Sequence, residues 1–145
     1  MNIVLDTNVL VAGLLSPFGS CGKIVRMVSS GKLVLSFDAR ILSEYYEVLR
    51  RQQFKFEEDK VVALLDYIEY RGHKVASSPL LHSLPDPDDE PFLEVAIAGQ
   101  VRCLITGNRV PFPPKLCLGV KVFSPKEFLN FYKRQQKRKS CRGNS

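Results

Sequence analysis

The chain alternates short apolar runs with longer stretches in which apolar residues recur every three or four positions. Five runs read as strands, over residues 3–5, 33–36, 74–76, 103–106 and 121–123. A short helix over 9–15 precedes one over 21–30, and Pro17, Gly19 and Gly22 mark the break between them. From Asp38, a side chain suited to cap a helix, Ile41, Leu42, Tyr45, Val48 and Leu49 line one stripe. A helix over 57–71 carries Val61, Leu64, Leu65 and Ile68 at the spacing of one buried face. Another begins near Asp88 and is expected to bury Phe92, Leu93, Ala96 and Ile97. Ser124 followed by Pro125 opens a last helix, with proline where its missing N–H does no harm. Strands alternating with helices predict an α/β fold, a three-layer α/β/α sandwich around a central, mainly parallel sheet of about five strands.

The stretch "NIVLDTNVLV" then poses a problem, because its apolar strand stops on a bare carboxylate, Asp6. In parallel α/β sheets ligands bind beyond the carboxyl ends of the strands. Asp6 ends the first strand, and Thr106, Gly107 and Asn108 follow the "CLIT" strand at the same edge. Helices that return antiparallel begin at that edge too. Glu44 falls in the second turn after Asp38, at the margin of the apolar stripe. Pro91 cannot sit deep in a helix, so Asp89 belongs to a first turn and heads the stripe of Phe92, Leu93 and Ala96. Four separate segments thus deliver Asp6, Glu44, Asp89 and Asn108 to one place. Each has an ordinary reading alone: a turn, a helix border, or a cap, as for Asp86, Asp88 and Asp89 beside a helix dipole. Together, clustered carboxylates repel unless protons or a cation neutralise them. An all-oxygen set without Cys or His suits a hard ion, Mg²⁺ or Mn²⁺.

Composition adds the charge balance. Of 21 basic residues, six lie in the last thirteen positions, "KRQQKRKSCRGNS", which contain no acid; the remaining 15 balance 15 acids. The excess is therefore confined to a basic C-terminal tail, 133–145, following a domain over 1–132. Lys133, Arg134, Lys137, Arg138 and Lys139 there are expected to attract a phosphate backbone without reading sequence, or to form a solvated end. Four cysteines without zinc-type spacing read as reduced and mostly buried, and no signal segment or apolar run of membrane length is visible, which predicts a cytoplasmic protein. His73 and His82 read as structural or exposed, and the tyrosines as core or interface.

The motifs resemble those of the PIN-domain ribonucleases, and among them the VapC-like group of toxin components of toxin–antitoxin pairs. The residues that carry the resemblance are "IVLDTNVLVAGLLSP", "SEYYEVLRR", "DPDDEPFLEVAIAGQVRCLITGN" and "GVKVFSPKEFL", which span about 2–130 in the family's order. The resemblance implies a metal-dependent endoribonuclease using Mg²⁺ or Mn²⁺, acting on RNA, a homodimer, held in check by a cognate antitoxin. It places the acids that hold metal on Asp6, Glu44 and Asp89, with Asp86 a lesser claimant to the third. Asn8 falls on a polar position beside the site, and Thr106 supports it. Where many PIN domains carry T-G-D, this chain reads Thr106-Gly107-Asn108, so its fourth catalytic position can offer a carbonyl oxygen but no charge. The competing expectation is a PIN fold that binds RNA or a partner without cutting. A haloacid-dehalogenase-type phosphatase would need an Asp where Asn8 stands, and a phosphorelay receiver an acid pair that the chain lacks.

Overall fold

The computed structural model describes the backbone of residues 1–143 and the side chains of residues 1–140. Five parallel strands, β1 (Asn2–Leu5), β2 (Val34–Phe37), β3 (His73–Lys74), β4 (Cys103–Ile105) and β5 (Val122–Phe123), form one sheet in the order β3-β2-β1-β4-β5. The expectation of a mainly parallel sheet becomes an all-parallel one, flanked by helices in an α/β sandwich. β1 lies at the centre, and Ile3, Val4 and Leu5 are fully buried, as a strand covered on both faces requires. The chain builds leftward from β1 through β2 to β3, then crosses to β4 and β5 on the other side. The crevice between β1 and β4 is therefore the topological switch point.

The helices are α1 (Thr7–Leu15), α2 (Ser20–Ser29), α3 (Ala39–Leu49), α4 (Glu58–Arg71), α5 (Glu90–Ala98) and α6 (Pro125–Gly143). Asp38 caps α3 as its composition predicts, accepting from the Ile41 N–H at 3.0 Å. α6 opens with a capping box: the Ser124 hydroxyl accepts from Glu127 N–H, and the Glu127 carboxylate accepts from Ser124 N–H. The apolar stripes face inward, with Ile41, Tyr45 and Leu49 of α3 and Val61, Leu65 and Ile68 of α4 buried, while Leu42, Val48 and Leu64 sit half-buried at the margins.

Most element boundaries shift by one or two residues from expectation, and the more informative differences are these. β3 is His73–Lys74 rather than 74–76: it is an exposed edge strand, and after Val75 N–H bonds to Phe37 O at 2.8 Å the chain leaves the sheet. The helix expected near Asp88 begins as a 3-10 turn, Pro87–Asp89, and α5 proper starts at Glu90. Ile97 is half-buried rather than core. The basic segment continues α6 as helix through Gly143. Cys103 and Cys117 are buried and Cys21 is half-buried; the side chain of Cys141 lies outside the described residues. No single helix among the described residues is long and apolar enough to cross a membrane, and the pair α1 and α2, bent by 101°, packs into the core.

Candidate active site

Sheet register builds the site. Leu5 pairs with Ile105, so the next residues, Asp6 and Thr106, emerge side by side at the carboxyl edge of the switch-point crevice. The Asp6 N–H donates to Ile105 O at 2.9 Å, a last rung that fixes its backbone to β4. Asp6 is the N-cap residue of α1, yet its side chain makes no capping bond and is left to the crevice. The Thr106 hydroxyl, fully buried, donates to Asp6 Oδ2 at 2.7 Å. Glu44 arrives on α3 and takes a hydrogen bond from the Thr7 hydroxyl, one residue beyond Asp6. Tyr45, buried beside it, donates its hydroxyl to Leu5 O and ties α3 to the end of β1. Glu44 is thereby bonded to the residue after Asp6, and Tyr45, its own neighbour, to the residue before Asp6.

Asp89 comes from the 3-10 turn ahead of α5, and a clamp that local pattern does not reveal holds that segment. Glu90 and Glu94, one turn apart on α5, reach back to the preceding loop: Glu90 accepts from Leu84 N–H and Glu94 from Leu80 N–H, both at 3.0 Å. Glu94, only 8% exposed, is also paired with Arg40 at 2.7 Å, and Arg40 bonds Asp38 and Ser77. The guanidinium thus links the start of α3, which carries Glu44, to α5. An acid inside the apolar run "PFLEVAIA" is the one signal for Glu94, and Thr7 stands beside Asp6; local pattern singles out neither.

The acids feel one another's charge. Burial, the larger cause, and the charges of Asp6, Asp86, Asp88 and Glu44 push the Asp89 carboxyl up to about 6. Burial raises Asp6, and the Thr106 hydroxyl and the amides of Asn8 and Thr7 offset part of that. Glu44 is raised by burial, partly offset by Thr7, and then by Asp6, Asp88 and Glu47. Asp6 therefore acts on both other acids, and Glu44 on Asp89. Among the described residues, no three His, Cys, Asp or Glu side chains form a ready-made ligand cluster. The three side chains offer oxygen donors alone, the chemistry that a hard cation such as Mg²⁺ takes.

The remaining expected residues divide. Asn8 is exposed in the first turn of α1, its amide close to the Asp6 carboxylate. Asn108 reaches the edge, but its side-chain oxygen accepts from Val110 N–H at 3.1 Å within its own loop, and its N–H bonds the Thr106 hydroxyl at 3.2 Å. Its contact with the site is through Thr106. Asp86 is exposed and caps the 3-10 turn, accepting from Asp88 N–H at 3.0 Å. Lys133, Arg134, Lys137, Arg138 and Lys139 do not join the acids. α6 begins beside the carboxyl end of β5 and runs to the opposite edge, where Arg102, just ahead of β4, bonds Gln135 at 3.2 Å. His73 is exposed and bonds the Asn2 amide, and His82 is exposed in a loop.

A family model described as PIN domain matches residues 2–110, which hold every acid of the site and end before β5 and α6. No curated protein matches the chain. PIN domains are in general nucleases, hydrolases of phosphodiester bonds, and usually draw on divalent metal ions. With three quarters of its length under that match and its acids at the switch point of an all-parallel sheet, the chain belongs to the PIN-domain family.

Proposed function

We propose that the protein is a Mg²⁺- or Mn²⁺-dependent endoribonuclease, the toxin of a toxin–antitoxin pair. The observation that carries the reading is the placement of Asp6 and Glu44 together at the strand ends through Thr106 and Thr7, with Asp89 close enough to feel the charge of both. Three carboxylates at one edge of the sheet, with no basic residue bonded to any of them among the described residues, leave a role for a cation.

Asp6, Glu44 and Asp89 would hold the ion, directly or through its water. Bound there, a divalent ion lowers the pKa of a water and neutralises charge on the phosphate. The protein's own residues do the positioning. Thr106 locks Asp6 in one rotamer from a fully buried site, and Thr7 does the same for Glu44. Asp89 retains a proton below about pH 6 and gives it up above, so the site is ready for a cation near neutrality and loses affinity as it acidifies. Asn108 stabilises the Thr106 hydroxyl through its backbone N–H, leaving the site one negative charge fewer than a fourth acid would supply.

RNA as substrate, a cognate antitoxin, a homodimer and a cytoplasmic location complete the proposal. Support for a covered surface comes from the corner between α1 and α2, where Leu15 is 52% and Phe18 97% exposed. The test is incubation of the purified chain with single-stranded RNA in Mg²⁺, Mn²⁺ or EDTA. Cleavage with either ion and none in EDTA is the expected result. RNA bound but intact in all three would replace the nuclease by the non-cutting binder.

A further inference from the structure

Away from the acids, α2 and α6 lie side by side, and the groove between them is lined by lysines with no acid opposite. Lys23, Met27 and Lys32 form one bank, and Tyr132, Lys133 and Lys137 the other. The four lysines are exposed, whereas Met27 is buried and Tyr132 half-buried, so charged rims stand over an apolar floor. Among the described residues, none of these lysines is within ion-pair distance of a carboxylate, whereas Arg40, Arg50, Arg51, Lys60 and Arg109 all are. Lys126 extends the line toward the active-site edge, in a hollow beside Ser20 and Ser124 where α2 and α6 begin. The cations therefore run from the carboxyl edge of the sheet to its amino edge. Lys126 and Lys137 are separated by about 17 Å along the helix axis. Along α6, Lys133 and Lys137, like Arg134 and Arg138, set like charges one turn apart, a repulsion that a polyanion would relieve.

We infer that the α2–α6 seam is a track for the phosphate backbone of single-stranded RNA on its way to the acids, an inference that rests on RNA being the substrate. Lysines in a row neutralise successive phosphates without reading bases, and the Tyr132 ring offers a face for one base to stack on. At about 3.4 Å per nucleotide of stacked strand, the line accommodates about five nucleotides beyond the site. A strand of evenly spaced charges matches this line better than a peptide, whose carboxylates would have to be placed by its sequence.

The experiment measures binding of a labelled twelve-nucleotide uridine oligomer in EDTA, across a salt series, by fluorescence anisotropy. The full chain is compared with a seam triple, Lys23→Glu, Lys133→Glu and Lys137→Glu. A control triple on the β3 side carries Lys55→Glu, Arg71→Glu and Lys74→Glu, and circular dichroism verifies the fold of both. The seam triple is expected to weaken binding at least about tenfold and to reduce the salt slope by about 2, at ~0.7 per lost cation, with a smaller loss in the control. Equal losses in the two triples, or none in the seam triple, would overturn the inference. So would a seam triple that loses a polyglutamate peptide while keeping the oligomer, which would make the groove a protein-docking site. Because no metal is present, a chain that binds here but never cuts leaves the track standing and removes only the nuclease reading.

Discussion

Asp6→Asn and Asp89→Asn proteins are expected to cut RNA at least about a hundredfold more slowly than the parent in Mn²⁺, while remaining folded. Loss of activity through unfolding is distinguishable, because metal-free Asp89→Asn should be the more stable protein at neutral pH. The folded-state pKa of Asp89, about 6, lies above its ordinary value of 3.8. The folded chain therefore binds more protons than the unfolded one between those values, and stability falls as pH rises through that window and levels off above it. Asp6 and Glu44 are raised in the same direction and add to the trend. Removing the Asp89 charge relieves on the order of 1 kcal/mol once solvent screening of this part-exposed group is allowed for, a gain of about 2–4 °C in Tm at pH 7.5. The gain should shrink toward zero by about pH 4, near the ordinary value of 3.8. A variant that melts below the parent at every pH, or that cuts as fast, would take Asp89 out of the site.

The second large effect is structural. Glu94→Ala should lower stability by about 2–3 kcal/mol, a fall of about 5–10 °C in Tm read by thermal melting. The substitution strips the Leu80 N–H of its acceptor, opens a gap at a residue only 8% exposed, and frees Arg40 from α5. Arg40 is half-exposed and keeps Asp38, so its lost pairing adds less than a fully buried ion pair would. Glu94→Gln retains an acceptor and should recover part of the loss. An unchanged melting temperature in Glu94→Ala would show that the loop ahead of Asp89 is held by other means.

These two effects mark what the sequence discloses and what it conceals. Asp6 is legible because a strand that ends on a carboxylate violates the apolar run, and Glu44 because it sits at the margin of a clear helical stripe. Counting back from Ala96 along that face selects Asp89 over Asp86, and Asp86 proves to be spent as a cap. The strand order is not legible, since nothing in local periodicity says that β1 is central or that the chain crosses to β4. The Glu90 and Glu94 clamp is equally hidden: their partners are backbone amides of a loop with no periodic signal. Asn108 reaches the expected edge, but its side chain accepts a hydrogen bond within its own turn, which no local pattern announces. The basic segment reads as a tail because the whole charge excess is confined to it, with no acid. It is helical through Gly143, propagated from the capping box at Ser124 and Glu127 ahead of it.

The claim on which the rest depends is that Asp6, Glu44 and Asp89 act as one cation site. Titrating Mn²⁺ into the metal-free chain at pH 7.5, and following the free ion by electron paramagnetic resonance, measures this directly. Saturable binding in the parent, weakened at least about tenfold by each of Asp6→Asn, Glu44→Gln and Asp89→Asn, is the predicted result. Binding of equal strength in the parent and all three variants would contradict it.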